Sequence, residues 1–190
     1  MSSTVKGVVV GFVAGFAVAA FSISTVQGQQ APRGTPAGIV QHVEHVNITT
    51  PDATKLAATI ADLIGVPVPA QSIAKGVAFA RGYAVDADVY PKYYTFRLPN
   101  INLEIMEPVG GKSPWRDALD RNGGKSGFHH LEFDVLDMED AVRRLEKHGA
   151  KMSLGNGRRM YAYMESTDAL GFAIELNRVD QTGRKISLPD

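Results

Sequence analysis

The chain has 190 residues, of which 44% are hydrophobic and 21% charged, a profile that fits one globular domain with an appendage. Twenty Lys plus Arg balance 20 Asp plus Glu, so no general attraction to nucleic acid or anionic lipid is expected. The absence of cysteine excludes disulfides, thiolate metal sites and cysteine nucleophiles, and leaves His, Asp and Glu as the metal ligands to consider.

Lys6 precedes an uncharged stretch, Gly7 to Ala20, and Val26-Gln27-Gly28 offers small or branched residues where a signal peptidase reads. Residues 1–28 are therefore read as a signal peptide, which implies an exported (periplasmic or secreted) protein. The alternative is a retained N-terminal membrane anchor, since the apolar stretch approaches the ~20 residues a span needs. Residues 29–39, rich in Gln, Pro and Gly, read as a flexible leader.

The first strand is predicted over Val40 to Thr49. Thr50 or Asp52 caps a helix on which Leu56, Ile60, Leu63 and Ile64 recur at helical spacing, and Gly65-Val66-Pro67 ends it. Strands follow at Gly76 to Arg81, Lys92 to Leu98 and Ile101 to Glu107, the last two joined by a turn at Pro99-Asn100. A linker from Pro108 to Gly127 holds a short helical piece around Trp115 to Leu119. The second strand–helix–strands run begins at Phe128 to Val135. Asp137 caps a helix with Met138, Ala141, Val142 and Leu145 on one face, and Gly149 closes it. Strands at Lys151 to Leu154, Arg159 to Glu165 and Phe172 to Asn177 complete the run. The reading is an α+β domain over 40–178, made of two βαβββ repeats at about 40–108 and 127–178 that form a curled mixed sheet around a metal site. A polar, loosely held tail, 179–190, follows.

Side chains alternate across a strand. Val46 and Ile48 thus share one face of the first strand, and His45, Asn47 and Thr49 the other. Leu131, Phe133 and Val135 oppose His130, Glu132 and Asp134. Ile101, Leu103 and Ile105 oppose Glu104, and Phe172, Ile174 and Leu176 oppose Glu175. A lone Glu on a strand is ordinarily solvated. Four residues in the order His, Glu, His, Glu at matching places in a repeat point instead to convergence: if the polar face is concave, His45, Glu104, His130 and Glu175 meet. Two imidazoles and two carboxylates suit one divalent ion, Ni, Co, Zn, Mn or Fe.

His45-Val46-Asn47-Ile48, Asn102-Leu103-Glu104-Ile105-Met106-Glu107-Pro108, Gly127-Phe128-His129-His130-Leu131-Glu132-Phe133 and Ala173-Ile174-Glu175-Leu176 resemble the four ligand strands of the vicinal-oxygen-chelate superfamily. That superfamily includes glyoxalase I, methylmalonyl-CoA epimerase, extradiol dioxygenases and fosfomycin-resistance proteins. The Gly-x-His-His strand is epimerase-like, with the second His in the ligand place. The resemblance implies His45, Glu104, His130 and Glu175 as metal ligands and Glu175 as the catalytic base. It implies a lyase or isomerase that forms a metal-stabilised enolate on a small oxygenated carbonyl substrate. The epimerase's second proton-transferring Glu has no counterpart in Gly76-Val77-Ala78-Phe79-Ala80, and coenzyme A thioesters fit poorly with export. The contrasting readings are a non-catalytic metal- or ligand-binding protein of the same fold, or an Fe(II) dioxygenase-like enzyme.

Among neighbouring residues, Arg159 resembles a family arginine at the site rim that orients a substrate anion, and a surface ion pair serves it equally well. Tyr161 and Tyr163 share a strand face that either lines the pocket or packs. His42 and His129 are expected to face away from His45 and His130, and His148 to suit the negative end of its helix. The partner expected is a small molecule and not nucleic acid. A membrane enters only if the N-terminal segment is retained, and a homodimer is compatible with all of this.

Overall fold

A computed structural model of the chain describes residues 38–74, 89–155 and 160–186. The N-terminal signal segment, the strand expected at Gly76 to Arg81, and Arg159 lie outside the described residues. The elements run β1 (Val40–Thr49), α1 (Ala53–Ile64), β2 (Ser72–Ile73), β3 (Tyr90–Arg97), β4 (Asn102–Val109), α2 (Pro114–Arg121), β5 (Gly127–Val135), α3 (Met138–Lys147), β6 (Lys151–Gly155), β7 (Tyr161–Glu165), α4 (Thr167–Leu170) and β8 (Ala173–Arg178). Among the described residues no helix is long and apolar enough to cross a membrane.

The eight strands form one curled sheet in the order β2-β3-β4-β1-β5-β8-β7-β6. β1 runs parallel to β4, β5 runs parallel to β8, and β1 and β5 meet antiparallel at the centre. This is the layout of two like halves joined along their first strands. The registers carry the likeness to single residues. Glu104 lies beside Asn47, two places after His45, and Glu175 lies beside Glu132, two places after His130. Across the central seam His45 faces Glu132 and Asn47 faces His130.

Each half packs one helix on its outer face. Asp52 accepts from the Lys55 N–H to start α1, and Gly65 ends it in the left-handed region at φ 70°. Ala53, Ala57 and Ala61, at i, i+4 and i+8, are buried against Tyr94, Phe96 and Ile105. Leu56 and Ile60 flank that line, but Leu63 falls off its edge and is 81% exposed. The expected Leu/Ile stripe thus gives way to a narrower alanine seam, which lets the helix backbone approach the sheet closely. In the second half Asp137 accepts from the Asp140 N–H, and Met138, Ala141 and Val142 bury against Val135, Ile174 and Leu176.

Three bulges interrupt β1–β5 pairing, at the steps Val40/His42, Val43/His45 and Asn47/Ile48. The residues left without a partner are Gln41, Glu44 and His129. A bulge resets strand alternation. His42 consequently pairs with Asp134, on the His45 side of the sheet and not opposite it, where it is exposed with Nε2 3.4 Å from Glu44. Two end assignments also change. Ile39, placed in the leader, packs on the second-half core. The start of the tail is held down: Val179 is buried and bridged to Lys185, and Ile186 N–H donates to the Arg178 carbonyl.

Candidate functional site

The central strands β1 and β5 bring their polar side chains onto the concave face, and the flanking strands β4 and β8 each add a carboxylate. His45, Asn47, Glu104, His130 and Glu132 are all buried. Burial of so many polar groups on one face is unlike a solvated sheet surface, and the groups satisfy one another. His45 Nε2 lies 2.9 Å from His130 Nε2. His130 Nε2 is 3.1 Å from Glu175 Oε2, and His45 Nε2 is 3.7 Å from both Glu175 Oε2 and Glu104 Oε1. His45, His130 and Glu175 each offer a ligand atom within 4.8 Å of the others. Glu104 stands beside this group, its Oε1 accepting from Asn47 Nδ2 at 2.8 Å.

Glu132 is not directed at that meeting point. Its Oε2 lies 3.0 Å from His45 Nδ1 and its Oε1 2.6 Å from Lys185 Nζ. His45 Nδ1 must therefore carry hydrogen, and Nε2 is the nitrogen turned to the site. Tyr163 is buried, its ring 5.0 Å from that of His130 in an edge arrangement, and its hydroxyl hydrogen-bonds Glu175. Trp115, from the helix linking the two repeats, packs edge-on against Tyr163 at 6.3 Å. Tyr161, Tyr93 and Lys185 line the same cavity of ≈ 580 Å³. The tyrosines of β7 thus divide: Tyr161 lines the pocket, while Tyr163 both lines it and braces the histidine and carboxylate.

Burial disfavours charge throughout the site, and the exceptions are those with strong partners. Burial opposes protonation of His45, yet the Glu132 hydrogen bond and the charges of Glu104, Glu132 and Glu175 raise it to about 9. Burial pushes Glu104 up to about 7 despite His45. Burial, with Glu132 nearby, likewise raises Glu175 to about 7. Glu132 is the opposite case: burial raises it, but the hydrogen bond and charge of His45, with Lys185, outweigh burial and hold it well below the usual carboxylate range. Burial keeps His130 and His129 neutral, far below 6.5.

The donor set fits a divalent cation. Two imidazole nitrogens face each other at hydrogen-bond distance, and two buried carboxyls beside them are held near neutrality only by their shared burial and charge. A dication relieves both conditions, and two nitrogens with carboxylate oxygens are its common ligands.

Residues 44–164 match the family described as the Glyoxalase/Bleomycin resistance protein/Dioxygenase superfamily. The chain belongs to that superfamily. The resemblance to the vicinal-oxygen-chelate superfamily is thereby borne out, and the eight-stranded mixed sheet is the fold of its solved relatives. Within the glyoxalase superfamily the chain is 28% identical over 148 residues to an ethylmalonyl-CoA/methylmalonyl-CoA epimerase of Cereibacter sphaeroides, covering 74% of this chain and 100% of that protein. In fold it is similar to methylmalonyl-CoA epimerase from Mycobacterium tuberculosis, with a TM-score of 0.55 at 20% identity over 79% of this chain and 96% of that one. It is similar also to a variant of Streptomyces coelicolor methylmalonyl-CoA epimerase in complex with 2-nitronate-propionyl-CoA, with a TM-score of 0.52 at 16% identity over 75% and 96%.

Sequence reasoning placed His45, Glu104, His130 and Glu175 on one face, and the structure gathers them. It missed Lys185, Glu44 and Trp115 as site residues. Lys185 sits in a polar tail with no periodic signal. Glu44 reaches the cavity wall, accepting from Asn102 Nδ2 at 2.9 Å, because a bulge overrides alternation. The reading of His129 as facing away also fails: it is buried, with Nδ1 3.0 Å from His130 Nδ1.

Proposed function

We propose that the domain is a metal-dependent isomerase of the epimerase type, moving a proton at a carbon next to the carbonyl of a small oxygenated substrate. The observation that carries this reading is the buried convergence of His45, His130 and Glu175 with Glu104 at their side. Similarity to a curated epimerase over the whole of that relative's length supports the reaction class. When bound, a divalent ion stabilises negative charge that develops on the substrate's carbonyl oxygen. His45 and His130 would hold it through Nε2, with Glu104 and Glu175 as the carboxylate ligands. The Glu132 carboxylate fixes the ring of His45. Glu175, whose Oε2 lies 3.1 Å from His130 Nε2 at the centre of the site, is the group to take the proton from carbon. The Tyr163 hydroxyl steadies that carboxyl by a hydrogen bond.

Metal analysis of the purified protein tests the reading. One divalent ion per chain is expected, and Glu104→Ala and His130→Ala should each lower metal content while the far-ultraviolet circular dichroism stays as in the wild type. Full occupancy in both variants sinks the ligand assignment.

We propose further that the domain is exported, on the strength of the n-region, apolar stretch and Val26-Gln27-Gly28 pattern. Mass spectrometry of protein from the native host should find a mature start close to Gln29. An intact Met1 terminus in a membrane fraction would establish the anchor instead.

A further inference from the structure

The two halves treat their histidines differently. Across the seam His45 faces Glu132, and its Nδ1 hydrogen has a carboxylate to bind. The corresponding neighbour of His130 is Asn47, whose Nδ2 donates to Glu104 at 2.8 Å and whose Oδ1 accepts from Thr49 Oγ1 at 3.3 Å. His130 Nδ1 turns instead to His129 Nδ1, 3.0 Å away. That contact exists because His129 is the extra residue of the Asn47/Ile48 bulge, which frees its side chain from strict alternation. His129 is 3% exposed, and its Nε2 has no hydrogen-bond partner among the described residues.

We infer that His129 is a positioning residue: its Nδ1 accepts the Nδ1 hydrogen of His130 and so keeps the His130 Nε2 lone pair aimed into the site. The inference rests on the proposed metal site. The hydrogens follow in order. A neutral imidazole has one N–H and one lone pair. For His130 to bind an ion through Nε2, its hydrogen must sit on Nδ1. The acceptor at 3.0 Å is His129 Nδ1, so the His129 hydrogen must sit on Nε2. A histidine ligand commonly gives its second N–H to a carboxylate, carbonyl or water. Here a neutral histidine supplies that acceptor. It orients the ring without adding a further negative charge to a site that already holds Glu104, Glu132 and Glu175.

The test uses the full chain with ¹⁵N-labelled histidine and Zn²⁺ as the probe. Two-bond ¹H–¹⁵N spectra of the zinc-free wild type should place hydrogen on His130 Nδ1 and His129 Nε2. His129→Asn puts an amide oxygen near the place of Nδ1 and should retain the His130 tautomer. His129→Leu has no acceptor and should release it. Zinc affinity, read by competition with a chelating dye, should fall roughly ten- to a hundredfold in His129→Leu and stay within about threefold of wild type in His129→Asn. The inference is overturned if the leucine variant binds zinc as tightly as wild type. It is equally overturned if the asparagine variant falls as far as leucine, or if the wild type carries hydrogen on His130 Nε2. Zinc binding absent from the wild type, or undiminished in His130→Ala, would defeat the metal reading separately. The tautomer spectra of wild type and the asparagine variant still decide the role of His129 in that case, and in the case that the leucine variant does not fold.

Discussion

Replacing Glu175 by Gln is expected to lower exchange of a substrate's α-hydrogen with solvent deuterium by roughly a hundredfold or more. The amide keeps the size of the side chain and one ligand oxygen, and Tyr163 still has an acceptor to bind. What is lost is the ability to accept a proton. Metal should persist, more weakly bound. The measurement is proton exchange in deuterium oxide across a panel of α-substituted carbonyl compounds, with metal content determined on the same samples. If exchange survives in Glu175→Gln, the base lies elsewhere. Glu132 is then a poor replacement, since His45 and Lys185 hold it ionised and engaged. Glu104 becomes the next group to vary, because its Oε1 lies 3.7 Å from His45 Nε2 in the same site. If no compound exchanges even with the wild type, the binding-protein reading replaces the enzymatic one and the fold stands.

The second large effect is a loss of stability with rising pH that added metal offsets. In the metal-free protein His45 has its folded value raised from 6.5 to about 9. A raised histidine contributes stability that is fully present below its unfolded value and is lost as pH rises through the folded one. Glu104 and Glu175, raised from 4.5 to about 7, lose their contributions between those values, while the neutral His129 and His130 act in the opposite sense below 6.5. Those effects oppose one another in acid, so the clear window lies above pH 7. There His45 alone should remove on the order of 2 kcal/mol by pH 9. A metal ion competes with protons for the same nitrogen and oxygen atoms, so its binding strengthens over that window. At free Mn²⁺ a thousandfold above its dissociation constant the gain should reach about 4 kcal/mol. Urea unfolding at pH 7 and 8.5, with and without Mn²⁺, gives the comparison. A metal-free protein as stable at 8.5 as at 7, with a metal effect that ignores pH, would contradict the His45–Glu132 pairing.

Much of this molecule is written in local patterns. The bounds of β1, the Asp52 and Asp137 caps, and the alternation that sets Glu104 and Glu175 opposite Leu103, Ile105, Ile174 and Leu176 all follow from spacings of two to four residues. Such spacings reflect backbone geometry that each segment imposes on itself. They were enough to identify two like halves and the two side chains that each half brings to the site.

What tertiary structure decided depends on register and on chain far away in sequence. Only the antiparallel seam places Glu132 against His45 and denies His130 the same partner. Only the return of the chain after Val179 brings Lys185 to Glu132, 53 residues apart. Bulges at Glu44 and His129 broke the alternation from which the orientations of His42 and His129 had been read. A bulge is settled by how two strands fit each other under the twist of the sheet. The sequence of either strand alone contains no term for that fit, and so the candidate ligand residues were legible while the partners that orient them were not.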